Sequence, residues 1–214
     1  MAHIIALTGP AGSGKDLTAS KMISQLEWRH PKAVIKTLSF AAPIKAAVAA
    51  ILGCSVSYLE HRDFKETSLA ESHDLEMSPR QLMQILGTEW GRQLIDPQIW
   101  IKTAQHRFES FEQAAVPADY VFITDLRFDN EHEWVKSHGG TVILIDRPSA
   151  APVAGHASEA GLALPPTYTI NNHGSLDALC RACLDVVERI DTMGAPHNRR
   201  LSDTSPAEWD RLRP

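Results

Sequence analysis

An apolar run followed directly by a glycine-rich turn and a lysine constrains this chain more than any other feature. Residues 3–8 read HIIALT, and residues 9–16 read GPAGSGKD. The spacing G-x-x-x-x-G-K places glycines where backbone N–H groups can surround phosphate oxygens, and a lysine where its ammonium group reaches the β- and γ-phosphates. Because the run predicts a strand and residues 17–28 predict a helix, the context is that of a phosphate-binding loop. The sequence therefore predicts binding of a nucleoside triphosphate.

The loop departs from the general pattern at its metal end. The position after Lys15, normally Ser or Thr with a hydroxyl for Mg²⁺, is Asp16, and the next hydroxyl is that of Thr18. Which of these side chains contacts the metal stays open at this point. We predict ATP contacts from Gly9, Ala11, Gly12, Ser13, Gly14, Lys15, Asp16, Leu17 and Thr18.

Strand-like and helix-like segments alternate along the chain. Predicted strands cover residues 4–8, 34–38, 120–124, 141–145 and 168–170, with helical patterns between them. This alternation predicts an α/β fold, a P-loop three-layer α/β/α arrangement with a mostly parallel sheet. We expect one domain over residues 1–191 and a flexible tail over 192–214. The polar stretch at about 55–78 is read either as a small lid or insertion, or as a solvated surface excursion.

Composition narrows the class of protein. The net charge of −5 argues against nucleic-acid binding as the main task, because a phosphate-backbone footprint usually needs a basic surface. No apolar stretch is long enough to cross a bilayer, and no signal peptide begins the chain. Three cysteines are too few for a disulfide framework and fit a reducing compartment. We therefore expect a cytoplasmic protein that binds neither membrane nor nucleic acid.

Polar clusters follow the predicted strands at the sheet edge where open α/β folds bind ligands. After the second strand, Phe40 is placed to stack on a base and Lys45 lies in the following helix. Alternatively, this segment is a helix cap with a core Phe and a surface lysine.

A second cluster lies on the helix predicted over residues 79–94. Arg80, Gln84 and Thr88 recur every four residues and so share one face, which suits a phosphate and a base edge. Leu82, Ile85 and Leu86 are expected on the apolar side, although a polar stripe of this kind is also typical of plain surface. Gly87 weakens a helix and indicates close approach by another group.

Asp125 and Arg127 come directly after the apolar strand at 120–124. A carboxylate at the end of such a strand is where a P-loop protein holds magnesium, and a guanidinium suits a phosphoryl group in charge and geometry. Alternatively, Arg127 forms an ion pair with Asp129 or Glu131. Arg147, after the next strand, is a candidate for the adenine or triphosphate side, whereas His156 and Glu159 favour local capping over metal binding.

In their order and spacing these clusters resemble one family, the deoxynucleoside monophosphate kinases of bacteriophages. The resemblance covers about residues 4 to 185. It is carried by residues 12–16, residues 42–45, Arg80 with residues 82–84 and 86–88, Trp100, Asp125-x-Arg127 with Glu131, residues 147–148, residues 158–162 and residues 174–176. An aspartate after the loop lysine is usual in this family, so Asp16, which departs from the general P-loop pattern, supports the resemblance.

The resemblance implies ATP-dependent phosphorylation of a deoxynucleoside monophosphate to the diphosphate, with ATP and Mg²⁺ as cofactors and small nucleotides as partners. Lys15, Arg80, Asp125 and Arg127 are the expected catalytic residues, and Asp16 and Asp125 the expected metal ligands. Arg147 and Arg92 are candidates for the donor side. The expected acceptor-site residues are Phe40, Lys45, Arg80, Gln84, Gly87, Thr88, Trp100, Asp125, Arg127 and Glu131. Localisation would be the host cytoplasm for a phage-encoded protein, and the oligomeric state stays open, a homodimer included.

Two other functions fit the same motifs. One is a P-loop kinase of another small phosphorylated acceptor, of the phosphomevalonate or dephospho-coenzyme A type. The other is a nucleotide-binding switch, although such proteins need a group that activates water and no Glu directly follows Asp125.

Overall fold

Five parallel strands form the sheet that positions the phosphate-binding loop. A computed structural model describes residues 1–148 and 161–192. The strands are β1 (His3–Thr8), β2 (Ile35–Leu38), β3 (Tyr120–Ile123), β4 (Thr141–Asp146) and β5 (Tyr168–Asn171). Their order across the sheet is β2-β3-β1-β4-β5, and every pair is parallel. All five carboxyl ends therefore lie along one edge, which confirms the predicted sheet.

Helices connect the strands and cover both faces. They are α1 (Lys15–Arg29), α2 (Ala42–Ile51), α3 (Val56–Leu59), α4 (Arg62–Glu66), α5 (Ala70–His73), α6 (Pro79–Gln84), a π-helix (Ile85–Ile95), α7 (Ile99–Glu112), α8 (Asp129–Ser137) and α9 (Leu176–Thr192). Among these described residues, none of the helices is both long and apolar enough to cross a membrane.

The sheet separates two apolar cores. On one face, side chains of β1 and β3 pack against α1 and α9, with Met22 and Val187 fully buried. On the other face, they pack against α7 and α8 around Phe108 and Val135. Because both faces are covered, β3 is buried along its whole length and reads as a continuous apolar run, as parallel strands do. The predicted three-layer α/β/α fold is confirmed.

The polar segment at 55–78 has an apolar anchor of its own. Leu59 and Leu69 are fully buried and belong to a third core together with Val48 and Leu52. The segment is therefore not only a solvated excursion, since it packs on α2 and α6. Its closure as a lid stays a prediction.

The helix predicted over 79–94 forms, but it changes its pitch halfway. Ser78 caps α6 in a reciprocal arrangement with Gln81, and the chain then widens into the π-helix, where the Asp96 N–H donates to the Gly91 carbonyl five residues earlier. At Gly91 a Cβ atom would lie 2.5 Å from the Trp100 ring, so a glycine is required there. Ile85, expected on the apolar side, is 44% exposed; that expectation was wrong because Ile85 lies one turn after the exposed Gln81, on the solvent side of the helix.

Candidate active site

The phosphate-binding loop joins β1 to α1 with three glycines in left-handed conformations. The φ angles are +140° at Gly9, +77° at Gly12 and +96° at Gly14. Residues with a Cβ atom rarely adopt such angles, so the glycine spacing read from the sequence is what the loop geometry needs. At Gly9 a side chain would also collide with the carbonyl oxygen of Ile145, at 2.5 Å.

Lys15 folds back over the loop. Its Nζ atom donates to the carbonyl oxygens of Gly9, at 2.7 Å, and Pro10, at 2.9 Å. The ammonium group therefore lies at the loop itself, where the sequence pattern places it for phosphate binding. Asp16 and Leu17 are exposed in the first turn of α1.

Thr18 lies on the opposite side of α1 from these two residues. It is fully buried, and its hydroxyl donates to the Gly14 carbonyl oxygen at 2.9 Å. This placement counts against Thr18 as an ATP or metal ligand, because the hydroxyl is turned into the helix. Of the loop and its first helical turn, Asp16 is the side chain that offers oxygen ligands to solvent.

Two residues contact the loop from the β4 and β5 ends of the sheet. Arg147 Nη1 donates to the Gly12 carbonyl oxygen at 3.4 Å, which fits its expected place on the donor side. Asn172 Nδ2 donates to the Ser13 carbonyl oxygen at 2.8 Å. The sequence reasoning had no role for Asn172, because its partner lies 159 positions away in the chain.

A cavity opens between the end of β3, α2, α6 and the π-helix. Five basic side chains line it, and we call it the cationic cavity: Lys45, Lys65, Arg80, Arg92 and Arg127. Every expected acceptor-site residue except Trp100 lines it as well; besides the basic ones these are Phe40, Gln84, Gly87, Thr88, Asp125 and Glu131. The spacing of Arg80, Gln84 and Thr88 thus brings three polar side chains to one site.

Asp125 ties the end of β3 to the start of α2. Its carboxylate accepts hydrogen bonds from the hydroxyl of Ser39 at 2.7 Å and from the backbone N–H groups of Phe40 at 3.2 Å and Ala41 at 2.9 Å. These bonds fix Phe40, which is 2% exposed and packs edge-on against Trp134, at the cavity wall. Asp125 therefore shapes the cavity in addition to any role toward a metal.

Glu131 is an almost fully buried carboxylate at the base of the cavity. Its Oε1 pairs with Arg92 Nη2 at 2.7 Å, and its Oε2 accepts from the backbone N–H groups of Arg127 at 2.9 Å and Phe128 at 3.2 Å. Burial raises the pKa of Glu131 to about 7, against the lowering effect of the Arg127 N–H and the Arg92 charge. The Glu131 carboxylate thus holds the guanidinium of Arg92 and the backbone N–H of Arg127.

Arg92 lies with the acceptor candidates rather than on the donor side where it was expected. Its guanidinium donates to the Gly87 carbonyl oxygen at 2.9 Å and stacks 3.9 Å from the centre of the Phe128 ring. Burial lowers its pKa, although the Glu131 charge acts to raise it. The sequence pattern could have predicted this position, since Arg92 continues the four-residue spacing of Arg80, Gln84 and Thr88.

Trp100 does not line the cavity, so its expected place there was wrong. The side chain is buried behind the π-helix, and its Nε1 donates to the Gly87 carbonyl oxygen at 2.7 Å. At Gly87 itself a Cβ atom would lie 3.0 Å from the Ile44 side chain. The close approach expected at Gly87 is therefore made by protein side chains on both sides.

Carboxylates of the 55–78 segment hold several of the cavity cations. Glu60 pairs with Lys45 at 3.0 Å and with Lys65 at 3.5 Å, and Glu66 pairs with Arg80 at 2.7 Å. Burial acts to raise the pKa of Glu60, but the hydrogen bonds and charges of the two lysines lower it overall. The segment therefore contributes negative charge at the cavity rim.

Few of the described carboxylates are candidates for binding a magnesium ion. Among residues 1–148 and 161–192, no group of three or more His, Cys, Asp and Glu side chains is placed to hold a metal. Magnesium in phosphoryl-transfer sites is usually bound by one or two carboxylates together with substrate phosphates. Asp16, exposed beside Lys15, fits that chemistry. Asp125 already accepts three protein hydrogen bonds, which leaves it about one further acceptor position.

Comparison with known proteins identifies the family. A family model described as deoxynucleotide monophosphate kinase matches residues 52–182, which include most of the residues lining the cationic cavity. The chain belongs to the deoxynucleotide monophosphate kinase family. The resemblance noted from the sequence is thereby confirmed.

Viral proteins named for the deoxynucleotide monophosphate kinase family are similar over much of the chain. A putative deoxynucleotide monophosphate kinase of Acanthamoeba polyphaga mimivirus is 31% identical over 174 residues, 78% of this chain and 86% of that protein. The deoxynucleoside-5'-monophosphate kinase of Escherichia phage T5 is 26% identical over 64% of this chain and 72% of that protein. The enzyme of Enterobacteria phage T4 is 32% identical over 54% of this chain and 47% of its own length.

Two of the sequence expectations fall outside the described residues. They are the capping assignment for His156 and Glu159 and the flexible tail beyond residue 192.

Proposed function

We propose that this member of the deoxynucleotide monophosphate kinase family transfers the γ-phosphoryl group of ATP to the phosphate of a deoxynucleoside monophosphate, giving ADP and the deoxynucleoside diphosphate. The observation that carries the proposal is the cationic cavity, in which basic side chains and an aromatic wall meet at the sheet edge that also bears the phosphate-binding loop. That edge is where open α/β sheets bind ligands.

The loop and the residues around it would hold the donor. Lys15 and the backbone N–H groups of Gly9, Ala11, Gly12 and Gly14 would neutralise and orient the phosphates of ATP, as a glycine-rich turn at a helix start does. Pro10 has no N–H, and the N–H of Ser13 donates to the Pro10 carbonyl oxygen. Arg147 and Asn172 donate to the carbonyl oxygens of Gly12 and Ser13 and so support the loop without using its N–H groups. ATP is the proposed donor because the family acts on nucleotides and the loop fits a triphosphate.

Asp16 would hold Mg²⁺ together with oxygens of the phosphates, and Asp125 would reach the ion through water. Bound there, the ion supplies neutralisation of the charge on the phosphates. The position of Asp16 in the first turn of α1, directly after Lys15, supports this assignment. Asp125 keeps its own position through Ser39 and the backbone of the following residues.

The acceptor needs binding and charge neutralisation more than a base. A nucleoside monophosphate already carries an anionic phosphate as nucleophile, so the reaction depends on positioning and on stabilising negative charge. Arg80, Arg92 and Arg127 converge on the cavity, and guanidinium groups bind phosphate oxygens in a fork. We assign Arg80 and Arg127 to the acceptor phosphate and the transferring group.

The apolar wall would receive the base. Phe40, Ile44 and Met83 line the cavity next to Gln84 and Thr88, whose polar groups can meet a base edge. The 55–78 segment borders the site through Glu60 and Glu66, and in this proposal it would close over the bound acceptor. Closure would exclude water, which competes with the acceptor for the phosphoryl group.

An acceptor panel tests the proposal. The purified chain is incubated with ATP, Mg²⁺ and each of the four common deoxynucleoside monophosphates, and ADP formation is followed beside matched reactions without acceptor. We expect ADP to form with at least one deoxynucleoside monophosphate. Transfer only to dephospho-coenzyme A or phosphomevalonate, or hydrolysis that no acceptor stimulates, would overturn the proposal in favour of another kinase or a switch.

A further inference from the structure

The turn after β5 reaches the phosphate-binding loop through one side chain. Asn172 is half-buried, and its Nδ2 donates to the Ser13 carbonyl oxygen at 2.8 Å. The same amide nitrogen lies 2.6 Å from where a Cβ atom would stand on Gly14. Both contacts fall on the peptide unit that joins Ser13 to Gly14, two residues before the end of the loop at Lys15.

The backbone of Asn172 is fixed independently of the loop. Its N–H donates to the Asp146 carbonyl oxygen at 2.7 Å and so continues the pairing between β4 and β5. The next residue, His173, pairs with the Asp146 carboxylate at 3.3 Å. The side chain of Asn172 therefore extends from the sheet as a short, anchored support for the loop.

The direction of the Ser13 carbonyl determines the direction of the Gly14 N–H. A trans peptide is planar, and its C=O and N–H bonds point to opposite sides. Because the Ser13 oxygen accepts a hydrogen bond from Asn172 on the β5 side, the Gly14 N–H points away from β5, toward the side on which we propose that the phosphates bind. Backbone N–H groups on that side are the ones that bind phosphate in such a loop.

Besides Asn172, few contacts among the described residues can hold the Ser13–Gly14 peptide in one orientation. Gly14 has a φ of +96°, a conformation in which glycine has several neighbouring states of similar energy, so the peptide can rotate unless something holds it. Ser13 is fully buried, but its hydroxyl has no hydrogen-bond partner among the described residues and does not fix the turn. The hydrogen bond from Asn172 is the contact on the Ser13 oxygen itself.

We infer that Asn172 is a positioning residue for the donor phosphates: its carboxamide holds the Ser13–Gly14 peptide so that the Gly14 N–H faces the phosphates of ATP. The inference rests on the proposed function, in which this loop binds ATP. In this view the turn between β5 and α9 contributes to ATP affinity by orienting a backbone N–H toward the phosphates.

Two substitutions separate this role from simple packing. Asn172→Ala removes the donor, and Asn172→Asp keeps the shape but turns a carboxylate oxygen toward the Ser13 oxygen and adds negative charge near the phosphates. Asn171→Ala is the matched control, because Asn171 is the preceding residue of the same type, is exposed and lies in β5. Binding of a non-hydrolysable ATP analogue is measured by titration calorimetry, beside the KM values for ATP and for the deoxynucleoside monophosphate.

We expect Asn172→Ala to weaken analogue binding about fivefold to tenfold, the range of one lost hydrogen bond, and Asn172→Asp to weaken it more. The KM for ATP should rise in parallel, while the KM for the monophosphate stays within about twofold and Asn171→Ala stays at the wild-type values. A merely structural role would shift both KM values and the urea midpoint together.

Analogue binding at wild-type strength in both Asn172 variants would overturn the inference and leave the kinase function standing. A wild-type chain that binds the analogue but phosphorylates no monophosphate would overturn the proposed acceptor and leave Asn172 to be judged on binding alone. A wild-type chain that binds no triphosphate would overturn both.

Discussion

Glu131 and Arg92 form a 2.7 Å ion pair at the base of the cationic cavity, and the Glu131 side chain is only 2% exposed. The pair joins α8 to the π-helix across the site. Through its second oxygen, Glu131 also holds the backbone of the turn that carries Arg127. One buried carboxylate thus positions the Arg92 guanidinium and the turn that carries Arg127.

The raised pKa of Glu131 predicts how stability changes with pH. Its pKa in the folded chain is about 7, above the ordinary 4.5, because burial disfavours the charged form. The stabilisation associated with the protonated group is therefore complete below pH 4.5 and is lost as the pH rises through 7, by about 3 kcal/mol in free energy of unfolding. Glu131→Gln removes this titration.

Urea unfolding of both proteins at pH 5 and pH 8 checks the prediction. Whatever the offset between them at pH 5, the free energy of unfolding of the wild type should fall relative to Glu131→Gln by pH 8. Parallel values at both pH values would mean that Glu131 titrates near its ordinary pKa in the folded chain.

Lys15→Ala should abolish phosphoryl transfer with little effect on folding. The Nζ atom contacts two loop carbonyl oxygens and is only partly buried, so its loss changes the free energy of unfolding by no more than about 1 kcal/mol. Lys21→Ala, on the same helix but away from the loop, is the control. Turnover by the Lys15 variant near the wild-type rate would remove the assignment of the loop to phosphate binding.

The loop was predictable from the sequence because its geometry is local. The left-handed angles at Gly9, Gly12 and Gly14 arise within six residues, and the glycine spacing records them directly. Likewise, the four-residue spacing of Arg80, Gln84 and Thr88 brings them to one cavity because they share one helix.

Contacts between distant segments were not predictable in the same way. Asn172 meets Ser13 across 159 positions, and no pattern within either segment indicates the other. Trp100 was misplaced for a related reason, and the buried side chain of Thr18 counts against its predicted contact with ATP or the metal. A residue type at a motif position does not tell which side of its helix faces the site, and both side chains turn inward.

Trp100→Phe separates a structural role from a substrate contact. Phenylalanine keeps most of the buried ring but loses the hydrogen bond to the Gly87 carbonyl oxygen, which still accepts from Arg92. We expect the free energy of unfolding to drop by about 1 kcal/mol and the KM for the monophosphate to change less than twofold. A large rise in that KM with unchanged stability would return Trp100 to the acceptor site.

Glu66→Gln should strengthen acceptor binding. Glu66 pairs with Arg80 at 2.7 Å and would therefore compete with an acceptor phosphate bound by that guanidinium. Without the charge, the KM for the monophosphate should fall a few-fold while the KM for ATP is unchanged. Glu71→Gln is the control, since Glu71 is an exposed carboxylate of the same segment. A higher KM for the monophosphate would instead make Glu66 a residue that positions Arg80 for binding.

Arg127→Ala tests whether the guanidinium acts on the acceptor side. The bond to Glu131 comes from the backbone N–H of Arg127, so the substitution leaves the turn held in place and removes only the side chain from the cavity. A guanidinium that stabilises charge on the acceptor or the transferring group contributes mainly in the transition state, so turnover should fall about a hundredfold or more.

The ATP dissociation constant should change less than about threefold, because the donor phosphates are held by the loop and Lys15. Steady-state kinetics with saturating monophosphate and an ATP titration of the same preparation measure both quantities. Arg181→Ala is the matched control, since Arg181 is an exposed arginine of α9 that does not line the cationic cavity. If the substitution instead weakens ATP binding and leaves turnover near the wild-type value, Arg127 contacts the donor rather than the acceptor.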